Sequence, residues 1–283
     1  MTDNTIAQLL RAAAQQLSPH SDYPLSEARQ LLSQALARPA TWLIANDEQQ
    51  PDSAQCARFS EALQRRCNGE PLAYITGHAA FWSLELKVTP DTLIPRPDSE
   101  VLVEQALECF DGTAPAHVLD LGTGTGALAL ALAKEWPASD VTGTDIDPAS
   151  LRVARDNALS NHISNAHFCQ SDWFGAVSAR HFGLIVTNPP YIADNDPHLL
   201  DRGLQYEPRR ALTSGRDGLD DLRLIIAQAP AYLSPAGWLL CEHGYDQGAA
   251  CRQLFAQAGY IQVQTRNDYA GHERVTLGRK PHT

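Results

Sequence analysis

The run Val118-Leu119-Asp120-Leu121-Gly122-Thr123-Gly124-Thr125-Gly126-Ala127 constrains the fold more than any other part of the chain. An apolar strand enters a turn of alternating glycines and leaves as a helix. Glycines are required there because the backbone has to turn tightly and come close to a ligand, where a Cβ would collide. Beyond it, apolar runs alternate with helical periodicity, which argues for an α/β fold: an open parallel sheet with helices on both faces. Strands are expected at His117 to Leu121, Val141 to Thr144, Ala166 to Cys169, Phe182 to Thr187 and Trp238 to Glu242. Helices are expected at Gly126 to Trp136, Pro148 to Ser160 and Leu219 to Tyr232, with another near Ser99 to Phe110 ahead of the sheet. Ile261 to Arg266 and Arg274 to Gly278 read as a hairpin joined through Asp268-Tyr269-Ala270-Gly271.

The N-terminal part has a different rhythm. From Thr5 to about Ile75 the apolar residues recur at helical spacing, interrupted by Ser18-Pro19, Arg38-Pro39 and Pro51, as in short packed helices. Leu25, Ala28, Leu32, Ala35 and Leu36 form one such face. Tyr23-Pro24 and Gln50-Pro51 signal helix starts, because a proline in the first turn gives up an N–H that would be orphaned anyway. Phe81 to Val88 alternates like a strand or hairpin arm, and Pro90, Pro95 and Pro97 stiffen the connector beyond it. The expected organisation is a small all-α domain at 1–77, a hairpin and linker at 78–95, and the α/β domain at 96–283.

With 283 residues, two modest domains can each bury a core. A net charge of −11, from 33 acidic and 22 basic residues, means that any attraction to nucleic-acid phosphates would need a local basic patch, and favours a basic partner. Cys56, Cys67, Cys109, Cys169, Cys241 and Cys251 show neither CxxC spacing nor clustering with histidines, so no metal site or disulfide framework is expected, and a reduced cytoplasmic setting fits. The chain opens with Asp3 and mixes polar with apolar residues, and no apolar run reaches membrane-spanning length. Neither an export signal nor an anchor is expected.

The glycine turn, with Gly122, Thr123, Gly124, Thr125 and Gly126 as candidate cofactor contacts, cannot by itself separate NAD from S-adenosylmethionine. Asp145 lies about twenty residues further on, at the end of the next strand, where a carboxylate accepts ribose hydroxyl protons; Ile146 adjoins it. Asp147, directly before Pro148, is the more natural helix cap and leaves Asp145 for the ligand. After the third strand, Asp172 can receive an adenine amino proton while Trp173 covers the ring.

Asn188-Pro189-Pro190-Tyr191 comes directly after the buried run Phe182 to Thr187. Each proline fixes its φ, lacks an N–H and restricts its predecessor, so this backbone offers mainly acceptors in a preset conformation. Asn188 adds an uncharged carbonyl and amide, and is a candidate cofactor contact as well. The cluster suits a planar –NH2 group that must lose its resonance before attacking an electrophile. In open parallel sheets ligands collect at the carboxyl ends of the strands, so the glycine turn, Asp145, Asp172 and Asn188 should converge.

This tetrapeptide resembles that of the class I, S-adenosylmethionine-dependent methyltransferases that methylate planar nitrogens. Gly69-Glu70-Pro71-Leu72-Ala73-Tyr74-Ile75-Thr76-Gly77, Leu93-Ile94-Pro95-Arg96-Pro97-Asp98-Ser99-Glu100, Asp120 to Gly126, Asn188 to Ile192, and Glu207-Pro208 with Ala211-Leu212 after it extend the likeness over nearly the whole chain. They resemble the protein-(glutamine-N5) methyltransferases of peptide chain release factors. That resemblance implies a seven-stranded Rossmann-like methyltransferase domain behind a small helical domain, with S-adenosylmethionine as cofactor. The implied substrate is the glutamine of the Gly-Gly-Gln motif in class 1 release factors, methylated on its side-chain amide nitrogen. Asn188, Pro189 and Tyr191 then carry the reaction, and Pro190, Arg96 and Glu100 stand near the substrate. Arg96 and Glu100 can also support each other across one helical turn. The helical domain becomes the docking surface, and a cytoplasmic monomer is expected.

An adenine amino methyltransferase acting on DNA or RNA is the nearest alternative. It needs a basic recognition segment, and only Arg65-Arg66 and Arg209-Arg210 stand out. A module that binds S-adenosylmethionine or a release factor without turnover would have no use for the reacting tetrapeptide. A dehydrogenase would need a proton donor that Asn188 cannot supply.

Overall fold

The computed structural model describes residues 4–178 and 181–282, so Asp3 at the chain's opening lies outside the described residues. The chain divides into two compact units, residues 1–78 with 200–206, and residues 79–199 with 207–283.

In the first unit, five helices succeed one another: α1 (Ile6–Leu17), α2 (Pro24–Leu36), α3 (Ala40–Ala45), α4 (Ser53–Cys67) and α5 (Leu72–Thr76). Thr5 opens α1 with a capping box, its hydroxyl accepting from the Gln8 N–H while the Gln8 side chain accepts from the Thr5 N–H. Pro24 is in the first turn of α2, as the sequence indicates. Pro51 is not in the first turn of α4; Asp52 caps that helix in a box with Gln55, and the proline lies outside it. The apolar face of α2 also shifts from expectation. Leu25 is 41% exposed, and Leu31 joins Ala28, Leu32, Ala35 and Leu36 in the core with Ile6, Leu17, Leu43 and Phe59. Residues 200–206 are remote in sequence but belong here, with the Tyr206 hydroxyl donating to the Asn68 carbonyl at 3.4 Å.

A two-stranded sheet, β1 (His78–Phe81) and β2 (Leu84–Lys87), belongs from Ala79 onward to the second unit, and the alternation expected through Phe81 to Val88 breaks at a Trp82-Ser83 turn. α6 (Glu100–Phe110) leads into β3 (His117–Leu121), α7 (Ala127–Glu135), β4 (Asp140–Asp145), α8 (Pro148–Ser160), β5 (Ala166–Gln170) and β6 (Phe182–Thr187). α9 (Asp220–Gln228), β7 (Leu233–Glu242), α10 (Gly248–Gln257), β8 (Ile261–Asn267) and β9 (Glu273–Arg279) complete it. The helix expected over Leu219 to Tyr232 stops at Gln228 and tightens into a 3-10 turn at Ala229–Ala231, where Pro230 has no N–H to continue it.

The seven strands lie in the order β5-β4-β3-β6-β7-β9-β8. β3 pairs in parallel with both β4 and β6, and only β9 and its partner β8 introduce antiparallel pairing. The chain therefore travels outward from β3 through β4 to β5, then returns to the other side of β3. That reversal opens a crevice at the carboxyl ends of β3, β4 and β6. One apolar cluster, with Leu102, Leu130, Val118 and Leu240, covers one face of the sheet; the other, with Leu119, Ile185, Leu222 and Phe255, covers the opposite face. Burial on both faces is why the inner strands read as continuous apolar runs.

Candidate active site

The glycine turn at the end of β3 holds Gly122, Gly124 and Gly126 at φ of +70°, +54° and +84°, a region that side chains other than glycine rarely adopt. Asp120 anchors the turn from beneath, its Oδ2 accepting from the Thr123 hydroxyl at 2.6 Å and from the Ala129 N–H at 3.2 Å. Burial pushes the Asp120 carboxyl up to about 7, against the pull of those two donors.

At the end of β4, Asp145 Oδ2 accepts the Gly124 N–H and Oδ1 accepts the Asp147 N–H, each at 2.9 Å. Burial raises its pKa, while the two backbone donors oppose the rise. Each carboxylate oxygen keeps an unused lone pair, so both can still accept ribose hydroxyls. Asp147 caps α8, accepting from the Ala149 N–H at 3.1 Å, and pairs with Arg210. Asp147 thus fills the helix-capping role that the sequence assigns to it.

Beyond β5, Asp172 is exposed and Trp173 is half-buried, with its indole N–H donating to Asp221 at 3.1 Å. The ring covers the glycine turn so closely that a Cβ on Gly122 would stand 3.4 Å from it. Gly122, Gly124, Asp145, Ile146, Asp172, Trp173, Asn188 and Pro190 all line one cavity of about 260 Å³, together with Leu93 and Arg210. Thr123 and Thr125 line a smaller adjoining cavity of about 50 Å³ with Pro95 and Ser99, and Leu93, Gly122, Gly124 and Asn188 border both. Asn188 thus stands where the two meet.

The charges in the larger cavity separate the cofactors that the glycine turn could not. Asp91, Asp145, Asp172 and Asp221 line it, and its one cationic side chain among the described residues, Arg210, is already paired with Asp147. Four carboxylates suit a sulfonium ligand and oppose a diphosphate. A tight glycine turn, an indole over it and a carboxylate with lone pairs to spare therefore fit S-adenosylmethionine.

The tetrapeptide Asn188 to Tyr191 is held from outside the sequence motif. Asn188 Nδ2 donates to Ser99 Oγ at 3.0 Å, and its carbonyl makes no hydrogen bond among the described residues. The Tyr191 hydroxyl donates to Glu242 Oε1 at 3.1 Å, and burial carries its pKa upward. Gly126, Pro189, Tyr191, Arg96 and Glu100 do not line either cavity. Arg96 and Glu100 do not support each other. Arg96 pairs with Glu207, whose Oε2 also accepts the Ile94 N–H at 3.1 Å, and Glu100 accepts the Trp82 N–H at 2.7 Å. Ser99, Glu207, Arg210, Asp221 and Glu242 escaped the sequence reading as site residues. Ser99, Glu207 and Arg210 had a signal, since the first two stand inside motifs already singled out and Arg210 belongs to the Arg209-Arg210 pair.

Among the described residues no cluster of three or more His, Cys, Asp or Glu side chains could hold a metal ion, and no helix is long and apolar enough to cross a membrane.

A seven-stranded sheet of this order, with a glycine turn and a carboxylate-lined cavity at its switch point, defines a class I methyltransferase that uses S-adenosylmethionine. Residues 8–77 match the family model described as the PrmC N-terminal domain, and residues 98–217 match the methyltransferase small domain. The chain is 48% identical over 280 residues to the release factor glutamine methyltransferase of Vibrio cholerae, covering 97% of this chain and 96% of that one. It is 47% identical to the Escherichia coli protein of the same name, covering 95% and 97%. The chain belongs to the release factor glutamine methyltransferase family. Among solved structures, a methyltransferase from Pyrococcus furiosus superposes with a TM-score of 0.54 at 19% identity, over 78% of this chain and 99% of that one. A Thermus thermophilus 16S rRNA N2 G1207 methyltransferase gives 0.52 at 23%, over 72% and 49%. At such identities these two speak for the fold alone.

Proposed function

We propose that this chain transfers a methyl group from S-adenosylmethionine to the side-chain amide nitrogen of a glutamine in peptide chain release factors, the Gly-Gly-Gln glutamine that the family resemblance implies. The observation that carries this reading is the position of Asn188, with its amide group turned to Ser99 and its carbonyl unclaimed, at the junction of the two cavities.

The cofactor supplies an electrophilic methyl group on a positively charged sulfur. Gly122 to Gly126, Asp145 with Ile146, and Asp172 with Trp173 hold it. The Asn188 side-chain carbonyl and the Pro189 backbone carbonyl accept the two protons of the substrate amide and aim its nitrogen lone pair. Pro190 borders the cavity and Tyr191 stiffens the turn through Glu242. Holding the reacting atoms about 3 to 3.5 Å apart accounts for a large share of the rate, because a carboxamide nitrogen is otherwise a weak nucleophile. The methylated amide is strongly acidic, so its extra proton leaves without a dedicated base. Arg96 serves the site at one remove, by fixing the segment that carries Leu93 and Pro95.

The helical unit is the docking surface in this proposal, and the enzyme works as a cytoplasmic monomer on a protein rather than on nucleic acid. The net charge of −11 supports a basic protein substrate.

Incubation with methyl-labelled S-adenosylmethionine and, separately, a purified release factor, its Gln-to-Ala variant and duplex DNA tests the proposal. Label is expected in the intact release factor only. Label in DNA or in the variant overturns it.

A further inference from the structure

Glu242 is the last residue of β7, one position beyond Cys241, which pairs in register with Thr187 of β6. Its carboxyl reaches the tetrapeptide that begins at Asn188, through Tyr191. It is 1% exposed, its Oε1 accepts from the Tyr191 hydroxyl, and its Oε2 is buried with no hydrogen-bond partner among the described residues. An ionised oxygen left in that state is costly, and a nearby donor should satisfy it.

Ser99 is the donor the structure offers. Its side chain is buried, its Oγ accepts from Asn188 Nδ2, and its own hydroxyl proton goes to no other acceptor among the described residues, while its interaction with Glu242 favours the carboxylate. A hydroxyl has one proton to give and two lone pairs. If that proton goes to Glu242, Ser99 can only accept from Asn188. The Asn188 amide group must then face Ser99, and its carbonyl must face away. Were the proton free, Ser99 could donate to the Asn188 carbonyl instead, and the side chain could turn over.

We propose that Glu242 is a positioning residue for methyl transfer, which, by claiming the Ser99 and Tyr191 hydroxyl protons, fixes the Asn188 carbonyl toward the incoming substrate amide. The role rests on the function proposed for this chain, because it gives Asn188 the task of accepting a substrate proton. Glu242 itself touches no substrate.

Charge governs the device, since only the carboxylate claims both protons. Burial pushes Glu242 up to about 7. The Ser99 hydroxyl, Arg274 of β9 and Tyr191 pull it down, and Asp98, ahead of α6, pushes it up. Activity should therefore fall as pH drops through that region.

The test uses the full chain with release factor and saturating cofactor, comparing the wild type with Glu242→Gln, Ser99→Ala and the double variant. A glutamine of the same shape keeps the fold but presents its own amide protons to Ser99 and so reverses the Asn188 orientation. Expected are a fall in kcat of about 100-fold, the size of a small misplacement of reacting groups, and a cofactor dissociation constant within about threefold of wild type. The acid limb near neutral pH should vanish in Glu242→Gln, and the double variant should be no worse than the worse single one. A kcat within about threefold of wild type, or losses that simply add, overturns the proposal. A readout independent of turnover is the side-chain amide NMR signal of Asn188, identified by its loss in Asn188→Ala. It should move in Glu242→Gln, and an unmoved signal also overturns the proposal. If the wild type does not methylate the release factor, the proposed function fails instead, and the NMR comparison still decides the orientation.

Discussion

Asp145 Oδ2 accepts the main-chain N–H of Gly124 at 2.9 Å, so the acid that ends β4 also braces the glycine turn that ends β3. Removing it takes away an acceptor for the ribose and leaves the turn without its brace. Asp145→Ala should raise the dissociation constant for S-adenosylmethionine about tenfold or more, since a hydrogen bond to a charged group contributes roughly 1.5 to 3 kcal/mol. Calorimetric titration of the cofactor checks this. An unchanged constant removes Asp145 from the site.

Asn188 lines both cavities, with its amide group held by Ser99 and its carbonyl without a hydrogen-bond partner among the described residues. Asn188→Ala should abolish methyl transfer and leave cofactor affinity within a few fold, because the candidate adenosine contacts stand at the ends of β3, β4 and β5. Asn188→Asp should be no better, as a carboxylate cannot donate to Ser99 while accepting from the substrate. Single-turnover transfer and cofactor titration, run on the same samples, separate the two effects. Equal loss of both would make Asn188 a cofactor ligand.

Fold and site are legible in the sequence wherever one short segment carries the whole signal. The bounds of β3, β6 and α8 match expectation because buried parallel strands are unbroken apolar runs, and because Asp147-Pro148 supplies both a cap and a fixed φ. α10 has no such signal, since Gly248-Ala249-Ala250 opens it with neither a capping oxygen nor a proline. The same contrast holds in the site. Gly122 to Thr125, Asp145 and Asn188 converge on the two cavities as their strand ends require. Their supports come from far away in the chain: Ser99 is 89 residues from Asn188, Glu242 is 51 from Tyr191, and Glu207 is 113 from Ile94. Local spacing points Arg96 at Glu100, yet a buried carboxylate with a second donor beside it offers a better partner than a neighbour in a helical turn.

Glu207 has a side chain 1% exposed and serves both Arg96 and the Ile94 N–H, which fixes the segment bearing Leu93 and Pro95 against the cavities. Glu207→Ala leaves a buried N–H unpaired and should destabilise the protein by about 1 to 3 kcal/mol, with a raised KM for the release factor. Glu207→Gln keeps an acceptor for Ile94 and should lose less. Urea unfolding of both variants checks the order. Equal effects would show that the N–H is satisfied without this side chain.

Asp120 offers a test of the electrostatics of the glycine turn that needs no substrate. Its Oδ1 is buried with no hydrogen-bond partner among the described residues, and burial raises its carboxyl from 3.8 to about 7. The native state then binds a proton that the unfolded chain releases between those two values, so this group's contribution to stability falls as pH rises through the interval and is constant above it. His243, buried and with a lowered pKa, works in the opposite sense, so the wild-type profile alone would mix the two. Subtracting Asp120→Asn isolates the aspartate, because asparagine does not titrate. Relative to that variant, wild type should gain about 2 kcal/mol between about pH 8 and about pH 5.5, at about 1.4 kcal/mol per unit below its native pKa. Urea unfolding of the cofactor-free proteins at both pH values measures the difference, and a gap that stays constant would mean that Asp120 remains ionised throughout.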